Sequence, residues 1–174
     1  MHTDRGDVAM AVRAAADDKF PILCGAKLAP GNYRADLAGK PLLAHAVTKL
    51  RRICTQVHIL SSDPALAVYA PLVPDLHPNS GPIGGIEAAL THSIFDWHLF
   101  LPVDIPFLPT AFLDQWLRST LAGESGGARI ALFTIGGIPQ PTLLLLHREV
   151  APFISQAVAR GDFKLFPILE QAGR

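Results

Sequence analysis

The chain has 174 residues, and its 15 Lys plus Arg against 15 Asp plus Glu leave a formal net charge of zero. Charged residues make up 17% and hydrophobic residues 49%, with a mean hydropathy of +0.29. That length fits one domain with a substantial core. The neutral balance excludes a general nucleic-acid binder, which needs a basic face, and the apolar fraction excludes disorder.

The apolar runs are also too short for a membrane span, which takes about 20 residues. Leu99 to Val103 is interrupted by Pro102, and Leu143 to Leu146 runs into His147 and Arg148. Residues 1–19 carry Asp4, Asp7, Asp17 and Asp18 without a continuous apolar stretch, so a secretory signal is not expected there. They read as a flexible extension, and residues 20–174 as the folded domain. Cys24 and Cys54 could pair, but two cysteines without metal-ligand spacing read more readily as buried thiols of a reducing, cytoplasmic compartment.

Along the chain, Phe20 to Cys24 predicts a buried strand running into a turn-rich loop, Gly25 to Asn32. Leu42, Leu43, Ala46, Val47 and Leu50 recur at helical spacing, and Lys49, Arg51 and Arg52 suit the C-terminal end of that helix. Val57 to Leu60 is a second strand. Asp63 and Pro64 cap and begin a helix through Tyr69. Leu72 and Val73 form a third strand ending at Asp75, and Gly84 to His92 a helix. Leu99 to Val103 is a fourth strand, and Pro109 to Leu117 a helix. Arg129 to Thr134 and Thr142 to Leu146 are strands flanking Gly136-Gly137. Val150 to Val158 and Phe163 to Gln171 close the chain as helices.

Strands alternating with helices predict an α/β fold: a mostly parallel sheet with helices on both faces. Unbroken apolar strands agree with burial on both faces. In such a sheet, ligands bind beyond the strand C-terminal ends, and four segments arrive there. Gly25 to Arg34 is a glycine-containing loop whose amides suit phosphate, with Lys27 and Arg34 as candidate cations. Gly81-Pro82-Ile83-Gly84-Gly85 opens a helix with exposed amides and lets a ligand approach the backbone. Asp104 ends a buried strand between Pro102 and Pro106, where a carboxylate can hold a divalent cation against phosphate oxygens. Asp75, with Ser61 and Ser62, can accept from a base edge or a sugar hydroxyl, although turn chemistry also explains Ser62. The seven histidines form no metal spacing, and neither a nucleophile elbow nor a Walker A sequence occurs.

The order of Gly39-Lys40-Pro41-Leu42-Leu43, Gly81-Pro82-Ile83-Gly84-Gly85-Ile86 and Val103-Asp104-Ile105-Pro106-Phe107-Leu108 resembles the nucleotidyltransferases related to MobA, the molybdenum cofactor guanylyltransferase. Pro139-Gln140-Pro141-Thr142 and Gly161-Asp162-Phe163-Lys164 add to the likeness, which covers residues 20 to 171. The resemblance implies a Rossmann-like three-layer αβα sandwich that transfers GMP from GTP to the phosphate of molybdopterin, with magnesium and release of pyrophosphate. It implies proteins of molybdoenzyme maturation as partners. By this likeness Asp104 is the metal aspartate and Asp75 contacts the nucleotide. Leu23, Cys24, Gly25 and Ala26 stand in the first-strand loop, Gly81, Pro82, Gly84 and Gly85 in the glycine corner, and Ser62 at the end of the second strand.

The sequence departs from the family pattern in two places. The family loop reads Leu-x-Gly-Gly-x-Ser-x-Arg-Met-Gly-x-x-Lys, whereas Leu23-Cys24-Gly25 is followed here by Ala26-Lys27-Leu28-Ala29-Pro30-Gly31. The family's Asn-x-Asn strand, which completes the metal site, has no counterpart. A variant loop, a nucleotide-binding relative without turnover, and a local shift of reading frame over Ala26 to Gly31 remain open, as does a transferase using CTP or a sugar or alcohol phosphate acceptor.

Overall fold

The computed structural model describes residues 20–27, 35–123 and 128–173. The expected extension (1–19) and Arg34 lie outside them, as do the side chains of Leu23, Cys24 and Lys27. In chain order the elements are β1 (Phe20–Lys27), β2 (Asp36–Leu37), β3 (Lys40–Pro41), α1 (Leu42–Ile53), β4 (Cys54–Leu60), a 3-10 turn (Pro64–Val68) and β5 (Leu72–Val73). They continue as α2 (Pro82–His92), β6 (Trp97–Pro102), α3 (Thr110–Ala122), β7 (Ile130–Ile135), β8 (Ile138–His147), a second 3-10 turn (Arg148–Val150), α4 (Ala151–Ala159) and α5 (Leu165–Ala172).

Six strands form one sheet in the order β5-β4-β1-β6-β8-β7. The β5–β4, β4–β1 and β1–β6 pairs are parallel, while β8 runs antiparallel to both β6 and β7. After β1 the chain winds out to β4 and β5, then returns across β1 to β6. Two such windings of one hand need helices on opposite faces of the sheet. The two cores lie accordingly. Leu43, Val47 and Leu50 of α1 pack with Leu113 and Leu117 of α3 against Ile59, Leu99 and Leu145. Ile83 and Ile86 of α2 pack with Ile154 of α4 and Ile168 of α5 against Leu60, Phe100 and Leu144. Helix α1 presents an apolar stripe at i, i+3, i+4 spacing to its sheet face, whereas α2 is buried at every position from Ile83 to Leu90. This is the three-layer sandwich expected from the sequence.

Several boundaries move. β1 continues through Gly25 and Ala26 to Lys27, where the sequence suggests a loop from Gly25. The reason is lateral: these residues pair with β4 on one side and β6 on the other, and a Cβ at Gly25 would meet Leu60 Cδ1 at 3.0 Å. Helix α2 starts at Pro82 rather than Gly84, as proline at a first helical position permits. The Asp63 cap forms, with Asp63 Oδ1 accepting from Ala65 N at 3.0 Å, but it opens a 3-10 turn ending at Val68. Cys54 is buried and disulfide-bonded rather than a free thiol. No helix among the described residues is long and apolar enough to cross a membrane.

Candidate active site

Four strand ends meet at one rim. Lys27 pairs with Leu60 and Pro102, and Leu60 pairs with Val73. Whatever follows β4, β5 and β6 therefore leaves the sheet on the same side. Ser61 and Ser62 follow β4, Asp75 follows β5, Asp104 follows β6, and Gly81 opens α2 on that side. The chain reverses its winding between β1 and β6, and this is where an open α/β sheet leaves a crevice.

The glycine corner is built against Asp75. A Cβ at Gly85 would stand 3.2 Å from Leu60 Cβ and 3.5 Å from Asp75 Oδ1, and one at Gly84 would stand 3.0 Å from Ser80 Cβ and 3.7 Å from Asp75 Cγ. The missing side chains let the carboxyl group lie on the first turn of α2. Burial raises the Asp75 pKa above the ordinary carboxylate value. Gly81 holds φ 61° and ψ −148°, a conformation essentially reserved for glycine. A Cβ on it would meet nothing within 4 Å, so the face above it is open. Ser61 Oγ accepts from Asp63 N at 3.1 Å, which is turn chemistry, while Ser62 is exposed at the rim.

Asp104 stands on the other flank of the crevice. Val103 is buried in the core, and the next residue turns out into solvent. No hydrogen bond or ion pair ties up its carboxylate among the described residues. Beside it opens a cavity of about 810 Å³ between the 102–109 segment and the β7–β8 hairpin, lined by Asp104, Phe107, Phe112, Ile135, Gln140 and Thr142. The hairpin makes this wall because β8 is paired with β6 only from Leu144 to His147. Its first half, with Pro139 and Pro141, runs on past the end of β6 paired with β7 alone. Proline lacks the N–H that a strand paired on both sides would use. Gly136 and Gly137, with φ 57° and 81°, close the hairpin in the two-residue turn that such values define.

Sequence reasoning thus places Asp75, the Gly81–Gly85 corner, Ser62 and Asp104 on one rim, with Gly25, Ala26 and the backbone of Lys27 as strand beneath it. It misses the apolar cavity, although the Pro-Gln-Pro-Thr run is its signal. It also misses Glu87, which is 4% exposed on α2. Glu87 Oε2 lies 3.8 Å from His77 Nε2 and has no hydrogen-bond partner among the described residues.

The sequence profile of the MobA-like NTP transferase domain matches residues 33–174. The chain belongs to the MobA-like NTP transferases. It is 35% identical to a molybdenum cofactor guanylyltransferase of Serratia proteamaculans over 142 residues, 79% of this chain and 69% of that protein. A probable molybdenum cofactor guanylyltransferase of Flavobacterium johnsoniae is 29% identical over 85% of this chain and 78% of its own length. Among solved structures, molybdopterin-guanine dinucleotide biosynthesis protein A of Archaeoglobus fulgidus superposes with a TM-score of 0.67 at 24% identity, over 85% of this chain and 79% of that one. A 2-C-methyl-D-erythritol 4-phosphate cytidylyltransferase of Thermus thermophilus superposes at 0.59 with 12% identity, over 90% and 86%. This MobA-like transferase therefore shares its fold with nucleotidyltransferases of different substrates, and its membership rests on sequence.

Proposed function

We propose that this chain transfers GMP from GTP to the phosphate of molybdopterin, releasing pyrophosphate. The observation that carries the reading is the position of Asp104. It lies between the crevice walled by Asp75 and Gly81–Gly85 and the 810 Å³ cavity under the hairpin. A nucleotide seated on the first and an acceptor seated in the second bring their phosphates together at that carboxylate.

Each part has a physical role. The Asp75 carboxylate accepts hydrogen bonds from the base edge or ribose hydroxyls. The open face of Gly81 admits the nucleotide to the backbone, and Ser62 borders it. The end of β1, from Leu23 to Lys27, forms the floor, and Arg34 together with Lys27 supplies positive charge to the triphosphate. Phe107, Phe112 and Ile135 offer flat apolar surface to a heteroaromatic acceptor, and Gln140 and Thr142 offer polar contacts to its edge. An acceptor phosphate oxygen attacks the α-phosphorus, the bond to the β-phosphate oxygen breaks, and pyrophosphate leaves with that electron pair. The chain's contribution is positioning and charge stabilisation, so no covalent nucleophile is needed.

Magnesium fits the donor set. Among the described residues Asp104 is a hard oxygen ligand with no competing protein partner, and no cluster of three metal-ligating side chains occurs. That suits a cation held by one carboxylate, phosphate oxygens and water rather than a protein cage. When bound, the ion neutralises charge developing on the phosphates.

Purified protein, magnesium, each of GTP, CTP, ATP and UTP, and molybdopterin test the reading through pyrophosphate release. The expected result is release with GTP and its loss in Asp104→Ala, by about 10²-fold or more for a group at the reacting phosphates. Equal release with CTP, or an unimpaired Asp104→Ala, overturns it. GTP binding without release in any combination favours a binding protein without turnover.

A further inference from the structure

A lysine on the apolar stripe of a core helix needs a reason. Lys49 belongs to α1, between Val47 and Leu50, and only 9% of it is exposed. Its stem lies along the core while the ammonium reaches out, as long cationic side chains do. The Nζ donates to the carbonyl oxygens of Pro106, at 3.1 Å, and Ile105, at 3.4 Å. These are the two residues immediately after Asp104.

Apolar contacts hold the segment's side chains: Val103 is buried in the core, and Ile105 and Leu108 pack against it. Polar ties of its backbone are fewer among the described residues. Leu108 N donates to Ile105 O at 3.3 Å, which closes a turn but fastens the segment to nothing outside itself. Pro106 contributes no N–H. The Lys49 ammonium is thus a cross-link from α1 to the loop, spanning 57 positions of sequence. A hydrogen bond from a charged donor is among the stronger kinds, and this one is largely sheltered from water.

We propose that Lys49 is a positioning residue of the transferase site, holding the 104–108 segment by its carbonyls so that the Asp104 carboxylate faces the crevice. The proposal rests on the transferase reading for the role of Asp104, but the restraint itself does not. Lys49 touches no reacting atom. It sets the direction from which the carboxylate meets a magnesium-bound phosphate, in the way that outer groups orient a metal ligand.

The test compares the full chain with Lys49→Met, which keeps the stem and removes the donors, and Lys49→Arg, which keeps a cationic donor. Backbone amide hydrogen exchange of Asp104, Ile105, Phe107 and Leu108 is read first. Lys49→Met is expected to speed it at least about tenfold, with the β1 and β4 amides unchanged. The magnesium concentration giving half-maximal GTP binding or pyrophosphate release is read next. It is expected to rise about tenfold in Lys49→Met, with the KM for GTP at saturating magnesium little altered and partial recovery in Lys49→Arg. Should Lys49→Met not fold, Lys49→Leu, which also lacks a donor, supports the same comparison.

Unchanged exchange in the 104–108 segment overturns the proposal. Faster exchange with an unchanged magnesium requirement also overturns it, because the lysine is then structural only. If the unaltered protein releases no pyrophosphate, the transferase reading fails, while exchange and magnesium-dependent GTP binding still decide the role of Lys49.

Discussion

Gly81 carries the sharpest constraint of any single residue at the rim. Its φ of 61° and ψ of −148° cost a residue with a side chain about 1–3 kcal/mol, although space for a methyl group is open. Gly81→Ala is therefore expected to lower unfolding stability by about that amount and to raise the KM for nucleotide by tilting the start of α2. Urea denaturation and initial-rate kinetics check the two effects. Gly81, Asp75 and Asp104 were legible in the sequence because their types carry meaning at the end of a strand or the start of a helix. Lys49 and Glu87 were not. Their meaning comes from Pro106, 57 positions away, and from His77 in the preceding loop, and hydrophobic spacing records neither contact.

Among the elements, the β7–β8 hairpin departs most from its sequence signal. The apolar run predicts a strand from Thr142, because Pro139 and Pro141 argue against strand before it. The strand begins at Ile138, since that half pairs with β7 alone and has no second ladder for the prolines to break. The first strand errs in the same direction, running longer than its signal at the other end. Gly25 and Ala26 look like loop by composition yet lie between two neighbours whose side chains leave no room for more. If the hairpin forms the acceptor wall, its turn controls acceptor binding. Gly137 holds φ 81°, which a β-branched residue resists by about 1–3 kcal/mol. Gly137→Val is expected to raise the KM for acceptor several-fold and leave the Kd for GTP unchanged, measurable by kinetics and calorimetry.

At the scale of the whole molecule, the alternation of elements was readable because each helix and strand declares its own period. The reversal at β1 and the antiparallel pair β8–β7 were not, since pairing partners are set by the packed sheet. The family match begins at Tyr33, so the altered stretch from Ala26 to Gly31 lies outside it. The sheet separates two cores, and the α2–α4–α5 side holds a titratable weakness. His98 is fully buried, neither ring nitrogen makes a well-formed hydrogen bond among the described residues, and its pKa falls from 6.5 to about 4. Burial is the main cause, and the paired Leu146 backbone opposes it only in part. Burial and His92 lower His58 as well. Between pH 6.5 and about 4 the unfolded chain therefore binds protons that the folded chain refuses. Stability falls with acidity in that window, by up to about 1.4 kcal/mol per pH unit from His98. The raised Asp75 acts oppositely, but in a window starting from its lower ordinary value of 3.8. Urea titrations from pH 7 down to 4 are expected to show the slope, and His98→Leu to flatten it. The half of the β7–β8 ribbon beyond β6 has a mechanical consequence. It is clamped at Leu144 and again at Phe133, whose ring meets Phe112 and Trp116 of α3 edge-on, and it overhangs from there to Gly136-Gly137. Only the tip past Phe133 is a cantilever. On the proposed reading, acceptors of different bulk meet that tip first.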